Sequence, residues 1–490
     1  MSKRKRKSNR FYKNKVTKPE EKLKATLNKT AELFKKAERQ KLSVKSKRAE
    51  KLVEEGKVKD HKHIGKGNKD KSYKRYKTQV KSFINEMGIS EIKEITPEII
   101  SKYVDKEIKL FNTPIIIEQD GEKTLVYPKE HLSAADRLNR NLTSLKSLQL
   151  AISETKVLGT GNKKEIDFGD IQLQRNKVKE AKVFRAKGGS AWHNPTNREM
   201  RTIKDRQNKK AKEGNYLDQM AADFVRYEQI TGARPMNAVE QTKTNFIKNE
   251  DGSMIVIHED DKGGKTRPVL IEKPDEVKFL EDLIGKHDDF KVFQGWKKNG
   301  GHMSAESLLK RLGEKVKEVS EDIKGEKKVT VKGNEQVFTV ETRITLHSPR
   351  KNYGTNKTIE YYEYIMKSPR ETEKRIEEKL NKLHQMEVKI YEKFKTENPV
   401  KNKNDQEKLN AMLPRSKKKY EELVRKQNAR NKNYAKKKGN KTYKTVKHLS
   451  NEEVAKYLAS CDLGHHRTDV INDSYLDHDR WNKVVAKYKK

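Results

Sequence analysis

The side chains best suited to chemistry lie far apart in this chain and follow a consistent order. Near the C-terminus, Leu463-Gly464-His465-His466-Arg467 makes a polar corner, and a lone tyrosine, Tyr475, follows it. Upstream come Arg234 after the Thr231-Gly232-Ala233 turn, Lys262 within Asp260-Asp261-Lys262-Gly263-Gly264-Lys265, and His347 with Arg350 as an H-x-x-R pair. A tyrosine among fixed cations can serve as an oxygen nucleophile, because its neighbours offset the charge at the atom it attacks. Cleavage of a phosphodiester suits this set. Two guanidiniums, Arg234 and Arg350, can grip the non-bridging oxygens and hold the charge of a pentacoordinate transition state. Imidazoles at His347 and His465 can hydrogen-bond the phosphate and help take the phenolic proton. A hairpin lysine, Lys262, can protonate the leaving 5′ oxygen. The tyrosine keeps the phosphate as an ester, so this chemistry asks for no metal, no cofactor and no ATP.

The surrounding residues predict the elements that would carry these groups. Leu217, Met220, Ala221, Phe224 and Val225 recur at helical spacing, and the helix stops at the Thr-Gly turn before Arg234 and Pro235. Met254-Ile255-Val256-Ile257 and Pro268-Val269-Leu270-Ile271 are apolar β-branched runs that place Lys262 on a hairpin turn. Helices are expected around 275–284 and 304–318. A second hairpin, Val329–Val331 with Val337–Val340, turns at Gly333-Asn334 and leads into Leu346-His347-Ser348-Pro349-Arg350. Val454, Tyr457 and Leu458 supply an apolar run before the corner. After Tyr475, the residues Trp481, Val484, Val485 and Tyr488 make a short amphipathic tail. That tail either caps its own domain or docks elsewhere.

Composition constrains the rest. The chain has 490 residues, too many for one core, with 113 Lys+Arg against 72 Asp+Glu and a net charge of +41. Such a surplus favours a polyanionic partner, since each neutralised phosphate releases a counterion. No run of about 18 apolar residues is present, and the basic N-terminus lacks the apolar core of a signal peptide. The single cysteine, Cys461, excludes an internal disulfide framework or a cysteine zinc site within one chain. The expected location is a reducing one, the cytoplasm, in association with the nucleoid.

Four stretches lie outside the chemistry. Residues 1–70 read as a basic arm, densest at Lys3, Arg4, Lys5 and Arg6, that orders on nucleic acid; Leu33, Phe34 and Ala37 give it only a thin stripe. Residues 72–155 read as a small helical domain. Tyr73, Tyr76, Val80, Phe83, Ile84 and Met87 share one face, Thr96 caps a helix opened by Pro97, and Ser133 starts a third helix bearing Leu138, Leu142, Leu145 and Ile152. Residues 115–126 between these helices are irregular or a hairpin. The outward face of the domain, with Lys74, Arg75, Lys81 and Arg140, suits clamping a duplex. Residues 156–210 are polar and glycine-rich and read as a linker, with Trp192 as its anchor. Within a C-terminal region of 211–490, residues 359–445 carry Ile376, Leu380, Leu383, Met386, Ile390 and Phe394 at helical spacing. They predict two long antiparallel helices paired as a coiled coil, with contact to DNA or a neighbouring subunit as the sharper reading.

The ordered set Arg234, Lys262, His347-x-x-Arg350, Leu463-Gly464-His465 and Tyr475 closely resembles the tyrosine recombinases, the phage- and conjugative-element-type integrases. Through Lys262-Gly263-Gly264-Lys265-Thr266-Arg267, Lys262 matches the family's hairpin lysine, with Lys265 the alternative. The resemblance implies a mostly α fold with small β-hairpins. Its expected parts are a basic N-terminal arm, a helical core-binding (SAM-like) domain, and a mixed α+β catalytic domain with a long helical-hairpin insertion. It implies a 3′-phosphotyrosyl intermediate and strand exchange that integrates or excises a mobile element. The implied partners are double-stranded DNA with attachment-type sites, three further copies in a homo-tetramer with the tail docked on an adjacent protomer, and directionality or DNA-bending proteins. Three departures stand out: Asn237 where an acid is usual, two histidines at the corner so that His466 competes with His465, and the 359–445 insertion. A type IB-like topoisomerase and a non-enzymatic DNA-binding scaffold are the alternative readings.

Overall fold

The helical stripes of the N-terminal part become helices in the computed structural model of the chain. The structure describes residues 19–40, 70–113, 115–119, 122–126, 134–155, 157–158, 166–181, 193–213, 216–261, 265–286, 290–297, 299–331, 336–397, 399–400, 406, 409–410, 412–438 and 442–489. They form mostly helices with few small strands, in two compact units, one made of 1–189 and 330–337 and one made of 190–329 and 338–490.

In the first unit, α1 (Pro19–Arg39), α2 (Asp70–Met87), α3 (Pro97–Asn112), α4 (Ala134–Glu154) and α5 (Ile171–Glu180) surround one core. Phe83 of α2 meets Tyr103 of α3 edge-on, with ring centroids 5.0 Å apart, and Leu138, Leu142 and Leu145 close the centre. The start of α3 follows from its sequence: the Thr96 side chain accepts from the Ile99 amide at 3.4 Å, and Pro97 occupies a position needing no N–H. Between α3 and α4, β1 (Ile115–Gln119) pairs antiparallel with β2 (Glu122–Val126). Lys74, Arg75, Lys81 and Arg140 are exposed.

Two expectations for this unit need correction. The basic arm contains α1, whose thin stripe suffices: Leu33, Phe34 and Ala37 are buried in the core beside Tyr73 and Tyr76. Lys3, Arg4, Lys5 and Arg6 lie outside the described residues, as do Ser133 and Trp192. The supposed linker also contains a helix, α5, capped by Asp170 and buried through Ile171 and Val178. Two apolar residues a helical repeat apart sufficed against an existing core, where composition alone read as loop.

The second unit begins, again inside that supposed linker, with α6 (Asn197–Lys212), opened by a Thr196–Glu199 capping box. Then come α7 (Tyr216–Thr231), α8 (Pro235–Val239), β3 (Phe246–Lys248), β4 (Met254–Asp261), β5 (Lys265–Ile271), α9 (Pro274–Gly285), α10 (Ala305–Val319), β6 (Lys324–Val331) and β7 (Gln336–Arg343). The C-terminal part is helical: α11 (Ser348–Met366), α12 (Thr372–Glu397), α13 (Ser416–Lys437), α14 (Asn451–Asp462), α15 (Thr468–Ser474) and α16 (His478–Tyr488).

The first hairpin belongs to a three-stranded antiparallel sheet, β3-β4-β5, with Val256 opposite both Phe246 and Val269. Its unbroken apolar runs have a physical reason. Met254, Val256, Val269 and Ile271 face the main core with Phe224 and Tyr227, while Ile255 and Ile257 pack against Met386 and Ile390 of α12. A sheet covered on both faces loses the polar alternation.

This arrangement also changes the reading of the insertion. α11 runs on to Met366, so the extra helices begin after residue 366 rather than at 359. The apolar stripe of α12 is divided between two surfaces, only one of which is the second long helix, α13. Met386 and Ile390 lie on the sheet, whereas Ile376 and Leu380 join Tyr420 of α13 in the main core. The C-terminal tail caps its own unit: Trp481 is buried, with its ring centroid 5.1 Å from that of Tyr362.

Candidate active site

The turn that carries Arg234 is shaped by glycine. Gly232 has φ +58°, and a Cβ there would lie 2.5 Å from the Tyr353 ring. Glycine is therefore required by both the left-handed backbone and the space. The chain then enters α8 with Arg234 as its N-terminal flanking residue and Pro235 in the first turn. Asn237, in the position where an acid was expected, donates to the Glu259 carbonyl at 2.9 Å and so ties α8 to β4.

His347 immediately precedes α11, and the H-x-x-R spacing puts Arg350 in its first turn. Arg350 is completely buried. Its Nη1 donates to the Gly232 carbonyl, its Nη2 to the Leu463 carbonyl at 2.8 Å, and its Nε to the Tyr475 hydroxyl at 3.2 Å. One guanidinium thus joins the turn of Arg234, the histidine corner and the phenol.

Tyr475 ends α15 and is buried. It approaches α11 at Gly354, where an added Cβ would lie 2.9 Å from the tyrosine's own Cβ. The backbone is fixed from behind, since the Tyr475 carbonyl accepts from Thr355 Oγ1 at 2.8 Å and from Asn194 Nδ2 at 3.1 Å. His465 faces the same point. Its Nε2 lies 3.4 Å from the Tyr475 hydroxyl, 3.2 Å from Arg234 Nη2 and 3.5 Å from Arg350 Nη2. His347 stands on another side, its ring centroid 6.1 Å from that of Tyr475. His466 turns away, with Nδ1 3.4 Å from Cys461 Sγ and φ +53°.

These contacts determine the state of the imidazoles. A guanidinium can only donate, so Nε2 of His465 is the unprotonated nitrogen; its single lone pair faces Arg234, the nearer guanidinium, and lies within reach of the phenolic proton. Burial, reinforced by Arg350, Lys351 and Arg234, pushes His347 down to about 3 and leaves it neutral at neutral pH. Burial and the nearby Arg350 lower Arg234 to about 9, still charged at neutral pH. The site can present positive charge to an anion, position a hydroxyl and accept its proton.

The structure brings five of the six proposed catalytic residues together: Arg234, His347, Arg350, His465 and Tyr475. Lys262 lies outside the described residues, and Lys265 opens β5. One important residue was missed. Arg267, on β5, is 2% exposed and donates through Nη1 to the Thr231 and Asp462 carbonyls and through Nη2 to the Gly232 carbonyl at 3.2 Å. It thereby fixes the same two corners as Arg350. Its signal was present, an arginine heading the apolar run Pro268-Val269-Leu270-Ile271, where a strand covered on both faces has no room for an idle charge. Glu228 and Asp462 are buried nearby. Burial raises both carboxyl groups, opposed by Arg350 at Glu228 and chiefly by Lys357 at Asp462.

No protein-family model matches the chain, and no curated protein matches it significantly. Several solved structures are similar. A lambda integrase dimer bound to a COC' core site is 12% identical with a TM-score of 0.35, the match covering 63% of this chain and 86% of that one. XerH site-specific recombinase bound to a palindromic difH substrate is 12% identical with a TM-score of 0.38, covering 71% and 88%. The Tn1549 transposon integrase in complex with circular intermediate DNA is 14% identical with a TM-score of 0.33, covering 67% and 86%. By name these are site-specific recombinases and integrases, and the present chain is distantly similar to each.

Proposed function

We propose that this chain is a tyrosine recombinase, which cuts and rejoins duplex DNA at specific sites through a tyrosine ester. The observation that carries the reading is the position of the Tyr475 hydroxyl, within 3.4 Å of both Arg350 Nε and His465 Nε2. The phenolic oxygen attacks phosphorus, its proton passes to His465 Nε2, and the P–O5′ bond breaks to leave a 3′-phosphotyrosine. Arg234 and Arg350 hold the charge on the non-bridging oxygens, and neutral His347 donates a hydrogen bond to one of them. Lys262 supplies the proton to the departing 5′ oxygen. The 5′-hydroxyl of the partner strand then attacks the ester and releases the phenol, so one phosphodiester replaces another without external energy. In this reading the chain moves a mobile element between attachment-type sites, acts as a tetramer on DNA with bending or directionality factors, and works at the nucleoid.

A nicked suicide substrate tests the chemistry. Wild type accumulates a covalent protein–DNA adduct, whereas Tyr475→Phe binds the duplex and forms none. Adduct formation by that variant would assign the nucleophile to another tyrosine and overturn the reading of Tyr475. A wild-type chain that never forms an adduct on its own target would favour a DNA-binding scaffold, and relaxation of supercoiled plasmid of arbitrary sequence would favour a topoisomerase.

A further inference from the structure

Between Leu423 and Asn451 the chain has ten Lys+Arg and no Asp or Glu. Most of this stretch is the C-terminal half of α13 and the segment that returns along it. The base of α13 is fixed beside the histidine corner. The Glu387 carboxylate accepts from the Arg415 and Ser416 amides, both at 3.0 Å, and from Ser416 Oγ at 2.7 Å, while Tyr457 of α14 donates to the Ser416 carbonyl. Met412, Arg415, Gly464 and His466 line one shared cavity there. From this base α13 extends for 22 residues, about 33 Å at 1.5 Å per residue. The return segment is held to its inner face: Asn428 exchanges two hydrogen bonds with the Val446 backbone, and Asn431 donates to the Lys444 carbonyl at 3.0 Å.

The outer face is different. Lys426, Arg430, Lys432, Lys436 and Lys437 are exposed and form no ion pair among the described residues, although Lys426 lies near enough to Glu422 to help lower its carboxyl. The ion pairs of this region gather at the base, where Lys447 meets Glu377 at 2.7 Å and Lys419 meets Glu422 at 2.9 Å. Tyr434 stands among the cations, 61% exposed, with Lys438 Nζ 5.2 Å from its ring centroid. Cations without partners along a rigid helix repel one another and gain most from a polyanion of matching length. A membrane surface fits poorly, because the outer face lacks the apolar stripe that an interfacial helix buries.

We propose that α13 is a phosphate-binding ridge that holds duplex DNA flanking the reaction centre, its exposed cations from Lys426 to Lys437 spanning about half a helical turn. This rests on the recombinase reading for the identity of the polyanion. The test uses the full chain with Lys426, Lys432, Lys436 and Lys437 changed to Gln, and a control with the same four changed to Arg. Binding is measured across a salt series on two duplexes centred on the cleavage site, one short and one longer by about a turn on each side. The Gln variant should lose the affinity gained from the longer duplex, and its slope of log K against log salt should fall by about 3–4. The Arg variant should match wild type, and at saturating DNA both should form the Tyr475 adduct at the wild-type level. An unchanged slope and affinity in the Gln variant would overturn the ridge. Unchanged DNA binding with lost binding of polyglutamate would also overturn it and assign the face to an acidic protein. If the slope falls but wild type never forms an adduct, the ridge stands and the recombinase reading fails.

Discussion

Cations occur in two opposite settings in the second unit. Arg267 and Arg350 have 2% and 0% of their surface exposed, whereas Lys426, Arg430 and Lys436 on α13 stand in solvent. The buried pair is held by backbone: between them the two guanidiniums engage the carbonyls of Thr231, Gly232, Asp462 and Leu463. The exposed set has no such partners. Desolvation is the reason for the contrast. A charge removed from water must find fixed acceptors, and those acceptors then fix its position. A charge left in water keeps its hydration and contributes field rather than geometry. The site therefore depends on which residue is present, and the ridge on how many charges it carries.

The sharpest way to break this contrast is Arg267→Lys. An ammonium cannot reach three carbonyls from one plane, so about 3–5 kcal/mol of stability should be lost. Urea unfolding would measure it, and a loss below about 1 kcal/mol would place Arg267 with the surface cations. Acid is the next lever. Burial pushes His347 down to about 3 and His258 well below its ordinary value, with Arg267 and Arg350 adding to the effect at His258. The unfolded chain binds these protons below about pH 6.5 and the folded chain does not, so stability should fall as pH drops from about 6.5 toward 3. The slope is at most about 1.4 kcal/mol per pH unit for each histidine. His258→Asn should reduce that slope, and an unchanged slope would mean that His258 is not held neutral. The pH profile of adduct formation should show no inflection from His347 near 6.5.

Gly354→Ala should cost about 1–3 kcal/mol by pressing on Tyr475. Displacement of the phenol should slow adduct formation while leaving duplex affinity unchanged; equal loss of both would mean that the damage is general. At the far end, Lys436→Gln should change stability by less than about 0.5 kcal/mol. A larger loss would show that the ridge is a packed face.

The candidate site is largely legible in the sequence. Thr231-Gly232-Ala233-Arg234, His347-x-x-Arg350 and Leu463-Gly464-His465 are local signals: a left-handed turn, a helix start and a helix end can each be read from a few residues. Boundaries fared worse where a neighbouring core compensated for weak local pattern, as with α1, where Leu23 and Leu27 pack beside the buried Leu33, Phe34 and Ala37, or α5 and α6 inside an apparent linker. β3, three residues long, was missed because its apolar content is short and its register comes from β4.

Sequence alone determined the ordered set of cations and phenol, the helical stripes of the first unit, and the large positive charge of the chain. Tertiary structure decided which histidine meets Tyr475, that Arg267 shares the work of Arg350, and that α12 divides its stripe between a sheet and α13. The division has a physical cause. Periodicity and turn chemistry depend on neighbours a few residues away, whereas burial of a charge or a stripe depends on whatever surface the rest of the chain brings to it.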